Sequence, residues 1–201
     1  MGVLVGRAAP DFTAPAVLAN GEIVDDFNFQ DATKGQYAVV FFYPLDFTFV
    51  CPSELIAFDH RMEEFKKRNV EVIGVSIDSH FTHNAWRNTP INKGGIGQVG
   101  YTLVADMTHA ICKAYDVETP DGTRAFRGSF LIDTKGMVRH QVVNDLPLGR
   151  NVDEMIRMID ALEFTEEHGE VCPAGWNQGD KGMKATPDGV ADYLAGEADK
   201  L

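Results

Sequence analysis

The sequence predicts an α/β fold built around a largely parallel sheet. Three observations predict it: apolar runs of strand length alternate with stretches of helical apolar spacing, a turn sequence joins two later strand-like runs, and an amphipathic helix follows them. Alternation of this kind is typical of βαβ units. With 201 residues, 44% of them hydrophobic and 24% charged, the chain is long and apolar enough to bury a substantial core.

The first half supplies two buried strands, each followed by a helix. Uninterrupted apolar runs at 37–43 and 70–77 are typical of strands covered on both faces. Between them a helix is predicted over 51–68, because four apolar residues recur there at helical spacing. They are Leu55, Phe58, Met62 and Phe65. A second helix is predicted from about residue 80 to 88, before Pro90.

The second half adds a strand at 101–104, a short helix at 107–115, and a hairpin. Strands at 128–132 and 137–143 flank the turn signal Asp133-Thr-Lys-Gly136. A last helix has one apolar face, formed by Val152, Met155, Ile156, Ile159 and Leu162. Parallel units that end in a hairpin and a helix suggest a thioredoxin-like sheet with insertions.

From about Thr165 the composition changes, and Gly, Pro, Lys and Asp dominate as far as Gly189. The sequence therefore predicts a folded domain over 1–164 and an extended C-terminal arm over 165–201. Arms of this composition are mobile unless they dock.

The charge balance restricts the partners. The chain carries 18 basic and 30 acidic residues, a net charge of −12, which argues against nucleic acid or an anionic membrane as the main partner. No apolar stretch approaches the length of a membrane span. Residues 1–7 have no basic flank ahead of an apolar core, so no signal peptide is expected there and the cytoplasm is the expected compartment.

The three cysteines differ in their surroundings. Cys51 begins the predicted helix, with Pro52 in the first turn, among free backbone N–H groups and at the positive end of the dipole. That position favours the thiolate, which is the nucleophilic form. Cys112 lies in a short helix and is interpreted as a small buried apolar residue. Cys172 lies in the Pro/Gly-rich arm, where a free surface thiol is the alternative to a functional one.

Pro44, Thr48 and Cys51, spaced as Pro-x-x-x-Thr-x-x-Cys, resemble the active-site signature of the peroxiredoxins. The segment Glu170-Val-Cys-Pro-Ala-Gly-Trp176 resembles the one that carries the resolving cysteine in the typical two-cysteine subfamily. Arg127, in Arg-Gly-Ser-Phe-Leu-Ile-Asp, matches the active-site arginine of that family. The resemblance implies a thioredoxin-like fold with peroxiredoxin insertions and an extended C-terminal arm.

The same resemblance assigns roles to these residues. Cys51 is the expected peroxidatic cysteine, Thr48 a hydroxyl donor, and Arg127 the positive charge that stabilises the thiolate and polarises the O–O bond. Pro44 is expected to shield the pocket from water. Taken singly, these residues have plainer interpretations: Thr48 as a helix cap, Arg127 as a surface ion pair and Pro44 as a strand stop.

Glu54 and Arg150 resemble the residues that hold the family's arginine in place. Compensation of the helix dipole is the alternative for Glu54, and simple solvent exposure is the alternative for Arg150.

The implied reaction is the reduction of hydrogen peroxide or alkyl hydroperoxides. It leaves Cys51 as a sulfenic acid that condenses with Cys172, 172 − 51 = 121 positions away. The sequence leaves open whether that disulfide lies within one chain or between two. The resemblance implies a head-to-tail homodimer that assembles into a decameric ring, and reduction by thioredoxin or a dedicated flavoprotein disulfide reductase. No bound cofactor is needed, because thiols supply the electrons.

No metal site is predicted, because the chain has neither a His-x-x-x-His pair on a helix nor a Cys-x-x-Cys motif. His80 and His83 are interpreted as residues of a solvated helix surface. Two other functions remain open: an oligomeric holdase chaperone, and a cysteine hydrolase that pairs Cys51 with a histidine base.

Overall fold

The computed structural model describes residues 2–201, except for the side chain of Lys200. Met1, the first residue of the stretch for which no signal peptide was predicted, lies outside the described residues. The chain divides into two compact units between Val152 and Asp153. The functional division predicted at residue 165 remains a prediction.

Seven strands and seven α-helices make up the regular structure of the described residues. The strands are β1 (Thr13–Val17), β2 (Ile23–Asn28), β3 (Tyr37–Phe42), β4 (Val70–Ser76), β5 (Thr102–Ala105), β6 (Arg127–Ile132) and β7 (Val138–Asn144). The helices are α1 (Phe29–Ala32), α2 (Cys51–Asp59), α3 (Met62–Lys67), α4 (His80–Arg87), α5 (Ala110–Ala114), α6 (Val152–His168) and α7 (Pro187–Glu197). Short 3-10 turns cover Ile91–Lys93 and Ala198–Lys200.

The seven strands form one sheet in the order β2-β1-β5-β4-β3-β6-β7. The three central strands β5, β4 and β3 are parallel, and β6 and β7 continue the sheet as an antiparallel hairpin. This confirms the predicted α/β fold, its parallel centre and its hairpin. The last five residues of β3 are buried, which matches its continuous apolar run, and all six residues of β6 are buried although Arg127 and Ser129 are polar.

The prediction of one continuous helix over 51–68 is wrong, because this range contains two helices, α2 and α3. The N–H of Arg61 bonds back three residues to the carbonyl of Phe58, which ends α2 in a tight turn, and α3 begins after Arg61. The apolar spacing does not reveal this break. Phe58 and Met62 are buried on either side of it, so the pattern continues through the turn.

The sequence analysis did not predict β1 and β2, which extend the sheet beyond β5. β1 has only five residues, and β2 has a largely exposed and acidic pattern, Ile-Val-Asp-Asp-Phe-Asn. Its Val24 and Phe27 pack against the core but stand three positions apart, so β2 lacks the apolar alternation from which strands are predicted.

In the second unit, α6 runs on to His168, beyond the predicted start of the arm. The arm also contains a helix, α7, that the sequence analysis did not predict. Thr186 caps it by accepting a hydrogen bond from the N–H of Gly189 at 3.1 Å, and Pro187 occupies its first turn. Threonine followed by proline is a helix-start signal, so this helix was predictable.

None of the helices in residues 2–201 combines the length and the apolar character that crossing a membrane requires.

Candidate active site

Cys51 is the first residue of α2, as predicted, and it follows the loop that leaves the end of β3. Pro52 occupies the first turn, where its missing N–H interrupts no helical bond. The side chain of Cys51 is buried, with 1% of its surface exposed. The nucleophile predicted from the sequence therefore lies at a helix start, below the protein surface.

Two donors approach the sulfur of Cys51. The hydroxyl of Thr48 lies 3.0 Å from Sγ and 2.8 Å from the carbonyl oxygen of Leu45. The Arg127 guanidinium donates to Sγ over 3.5 Å. Thr48 is not the helix cap, since Val50 holds that position. The Cys51 thiol is thus paired with a hydroxyl and a guanidinium, which differs from the cysteine–histidine pairing that a hydrolase needs.

Arg127 reaches this position from the first residue of β6, which pairs antiparallel with β3. Its side chain is 4% exposed, so it is not the surface ion pair that was the alternative. It donates to a carboxylate oxygen of Glu54 at 2.5 Å and to the carbonyl of Leu146 at 2.7 Å. Both bonds fix the direction of the guanidinium toward the sulfur.

Glu54 joins the two arginines. Its carboxylate, on the first turn of α2, also accepts three hydrogen bonds of 2.8–3.0 Å from the backbone N–H and the guanidinium of Arg150. The side chains of Glu54 and Arg150 are 3% and 4% exposed. Arg150 is therefore buried rather than solvated, and the structure brings all three charged residues together at Cys51.

Arg150 also ties two strands of the sheet to each other. Its NH1 group donates at 2.8 Å to the carbonyl of Phe42 at the end of β3 and to that of Gly128 in β6. The guanidinium lies 5.3 Å from the ring centre of Phe41 and 5.8 Å from that of Phe58, within cation–π range. These contacts compensate for the burial of its charge.

A cleft of about 440 Å³ opens over this group. It is lined by Pro44, Leu45, Thr48, Phe49, Val50, Arg124, Arg127, Leu146 and Pro147. Both donors to the Cys51 sulfur therefore face the cleft. Pro44 is buried, and Phe49 is almost fully exposed at 96%.

A buried polar network anchors the loop between β3 and α2, and the sequence analysis missed it. His83 is fully buried, and its ring nitrogens face a carboxylate oxygen of Asp46 at 2.8 Å and the carbonyl of Val104 at 3.2 Å. The Tyr43 hydroxyl donates to the same carboxylate at 2.8 Å. Burial raises the pKa of Asp46, and His83 opposes that rise. The interpretation of His80 and His83 as a solvated surface was wrong, because this helix face packs on the core.

Cys172 belongs to the second unit and is half-buried. Its sulfur lies 3.4 Å from the carbonyl of Ala161 in α6 and 3.7 Å from the Thr165 hydroxyl. Trp176, four residues on, is buried and packs its ring 4.8 Å from that of Phe164. The segment around Cys172 is thus packed onto α6, and its thiol is free.

Cys112 is 1% exposed, and its pKa is raised to about 12 by burial, followed by the negative charge of Asp106. Its thiol stays protonated at neutral pH, as expected for a buried apolar residue.

The comparisons with known proteins agree across the chain. Residues 5–141 match the AhpC/TSA family, and residues 161–196 match the C-terminal domain of 1-Cys peroxiredoxin. Alkyl hydroperoxide reductase C of Helicobacter pylori is 57% identical over 199 residues, which cover 99% of this chain and 100% of the relative. Peroxiredoxin-1 of Gallus gallus is 50% identical over 191 residues and 95% of each chain.

Among solved structures, the reduced 2-Cys peroxiredoxin of Plasmodium vivax superposes with a TM-score of 0.92 at 46% identity, covering 96% of this chain and 99% of the other. This likeness confirms the predicted thioredoxin-like fold. With matches to both family regions and to relatives over their whole length, the chain belongs to the peroxiredoxins of the AhpC/TSA family, which are thiol-dependent peroxidases.

Proposed function

We propose that this two-cysteine peroxiredoxin uses Cys51 to attack hydrogen peroxide and alkyl hydroperoxides. The thiolate sulfur attacks one peroxide oxygen, an S–O bond forms as the O–O bond breaks, and Cys51 is oxidised by two electrons to a sulfenic acid. The departing hydroxide or alkoxide takes up a proton and leaves as water or an alcohol. One observation carries the proposal: the Thr48 hydroxyl and the Arg127 guanidinium both reach Sγ and both line the cleft.

Thr48 and Arg127 are the proposed catalytic groups beside Cys51. The Arg127 guanidinium stabilises the thiolate and then the charge that develops on the departing oxygen. Thr48 holds the peroxide by hydrogen bonding, and Pro44 closes one wall of the cleft against water. Glu54 and Arg150 do not touch the sulfur in this proposal; they keep the Arg127 guanidinium in place.

Cys172 is the proposed resolving cysteine. Its thiol attacks the Cys51 sulfenic acid, a disulfide forms, and water leaves. Because Cys51 is only 1% exposed, the first turn of α2 has to open before a second thiol reaches the sulfur. The helix cap favours this opening: Val50 has no side chain able to bond the free N–H groups, and such a bond is worth about 1 kcal/mol.

The disulfide is proposed to join two subunits of a head-to-tail homodimer. β7 is an edge strand with Val142 and Val143 exposed at 36% and 43%, and an edge of this kind is open to pairing. Assembly of the dimers into a decameric ring is supported by three exposed aromatic side chains, which form apolar surface suited to an interface. Phe47, Phe49 and Phe81 are 51%, 96% and 67% exposed.

Thioredoxin or a dedicated flavoprotein disulfide reductase is the proposed source of electrons, and it returns the disulfide to two thiols. Alkyl hydroperoxides are proposed as substrates because the Helicobacter pylori relative is named a reductase for them. The cycle needs a compartment that keeps thiols reduced, and we propose the cytoplasm. In this proposal residues 1–164 carry out the reaction with peroxide, and the arm, residues 165–201, supplies the resolving thiol.

The test is a non-reducing gel with intact mass after one equivalent of hydrogen peroxide. Wild type is expected to form a disulfide-linked dimer, Cys51→Ser to form none, and Cys172→Ser to accumulate a sulfenic acid. A disulfide-linked monomer would keep the peroxidase but move resolution into one chain. Persistent peroxide with reduced Cys51 in the wild type would contradict the assignment of Cys51.

A further inference from the structure

Three side chains with metal-binding atoms meet at the start of α5, outside the peroxidase site. They are His109, Cys112 and Glu118, and one ligand atom from each lies within 4.8 Å of the other two. His109 Nδ1 and a Glu118 carboxylate oxygen are 2.8 Å apart. In a tetrahedral zinc site, bonds of about 2.0–2.3 Å place neighbouring ligand atoms about 3.3–3.7 Å apart. The 4.8 Å bound exceeds this range by about 1 Å and the 2.8 Å pair falls about 0.5 Å short of it, so small side-chain shifts bring the three atoms around one ion.

The site has a buried end and an open end. Cys112 is 1% exposed, whereas the side chains of His109 and Glu118 are 21% and 18% exposed. His109 caps α5 in the left-handed backbone conformation, with φ at 60°. The thiol therefore forms the floor of the site, and the imidazole and carboxylate form its solvent-accessible rim, which leaves room for a fourth ligand from water.

The surrounding charge favours a cation. The Asp106 carboxylate accepts hydrogen bonds from the N–H groups of Ile111 and Cys112 at 3.0 and 2.7 Å, so a second carboxylate lies beside the thiol. One fixed positive charge, the exposed Lys113 ammonium, lies 3.7 Å from the Glu118 carboxylate.

We propose that His109, Cys112 and Glu118 bind one divalent transition-metal ion, with Zn²⁺ the best fit. Thiolate and imidazole ligands select zinc over the hard cations magnesium and calcium. Binding replaces the thiol proton, which leaves to solvent. The proton shared by His109 Nδ1 and Glu118 moves through solvent to Nε2, and two metal bonds take the place of their hydrogen bond. No electrons are transferred, and the site is independent of the peroxidase chemistry.

The test uses full-length reduced protein with Cys51→Ser and Cys172→Ser, in which Cys112 is the remaining thiol, and Co²⁺ as a spectroscopic probe. One Co²⁺ per chain with a thiolate-to-cobalt charge-transfer band is expected, and Zn²⁺ is expected to displace it. The band is expected to vanish when Cys112→Ser is added. Glu118→Gln is expected to weaken binding more than about tenfold.

His60→Asn, at an exposed position away from the cluster, is the matched control and is expected to bind as the parent does. The proposal is overturned if no charge-transfer band appears, if the band survives Cys112→Ser, or if Glu118→Gln binds Co²⁺ as tightly as its parent. Glu118 lies at the solvent-accessible rim of the site, so Glu118→Gln tests the proposed metal binding even if loss of the buried Cys112 thiol impairs folding. Zn²⁺ is also expected to raise the Tm of the parent and to leave that of the Cys112→Ser variant unchanged.

Discussion

The carboxylate of Glu54 offers the sharpest test of how the active site is held together. Glu54→Gln keeps the shape of the side chain and removes its charge. Arg127 then loses its ionic partner and retains the Leu146 carbonyl, whereas Arg150 retains two backbone carbonyls. We therefore expect Arg127 to be the residue that moves.

The expected loss of stability in Glu54→Gln follows from the burial of its ion pairs. Both ion pairs are at least 96% buried, and removal of one partner from a buried pair costs about 3–5 kcal/mol. With a urea dependence of about 2 kcal/mol per molar, the unfolding midpoint should fall by about 1.5–2.5 M. A displacement of the guanidinium by about 1 Å should slow the reaction of Cys51 with hydrogen peroxide by about 10²-fold.

Glu64→Gln is the matched control, because Glu64 also pairs with two cations, Lys67 and Arg68, but its own side chain is 44% exposed. Exposed ion pairs contribute little, so this variant should behave as wild type. The assays are urea unfolding of the reduced protein at one fixed concentration and stopped-flow oxidation by hydrogen peroxide. If Glu54→Gln matches Glu64→Gln in both, the buried carboxylate does not position Arg127 and the reasoning is refuted.

Three further outcomes are expected. Thr48→Val should slow peroxide reduction by about 10²-fold, whereas Thr48→Ser, which keeps the hydroxyl, should react as the wild type does. Equal stopped-flow rates for Thr48→Val and Thr48→Ser would show that the hydroxyl has no part in the mechanism. In metal-free Cys51→Ser/Cys172→Ser protein, iodoacetamide at pH 8 should label Cys112 only after denaturant is added, because the thiol is buried and its pKa is raised to about 12. Labelling is measured by intact mass, and rapid labelling of the native protein would contradict this prediction. Asp133→Ala should cost about 1–2 kcal/mol in urea unfolding, because its carboxylate accepts the N–H of Met137 in the hairpin turn. Burial raises the pKa of the Asp133 carboxyl, but the hydrogen bonds that it accepts outweigh burial, so its pKa lies below the ordinary aspartate value. This stabilisation should therefore disappear as the pH falls below the ordinary aspartate range. If unfolding of Asp133→Ala depends on acid as that of the wild type does, this explanation is contradicted.

Much of the sheet was predictable because its central strands have a continuous apolar signal. The runs at 37–43 and 70–77 became β3 and β4 almost to the residue, since a parallel strand covered on both faces has to be apolar throughout. β2 lies at the edge of the sheet and needs no such run, so the same reasoning failed there. The break between α2 and α3 was hidden because backbone hydrogen bonds, not side-chain types, determine it.

The residues of the candidate active site were named from the sequence and their catalytic roles stay a prediction, whereas their contacts were not predictable. The helix start at Cys51 follows from Pro52 and the apolar spacing after it, all within one local stretch. The pairing of Glu54 with Arg127 and Arg150 spans 73 and 96 positions and depends on sheet register, which no local pattern encodes. Only the resemblance to the peroxiredoxins indicated that Glu54 and Arg150 hold Arg127 in place. The burial of His83 was missed for a related reason, because its partner Asp46 lies 37 positions earlier.

The contacts around Cys51 differ in how firmly they hold. Arg150 binds backbone carbonyls of β3 and β6 and the carboxylate of Glu54, so the ion-pair network behind Arg127 is tied to both strands. The first turn of α2, in contrast, starts at Val50 without a side-chain cap. The Arg150 guanidinium can therefore stay bound to the two strands while the first turn of α2, which carries both Cys51 and Glu54, opens. A two-cysteine peroxidase needs this combination, since its sulfur has to be held for attack on the peroxide and then released to a second thiol.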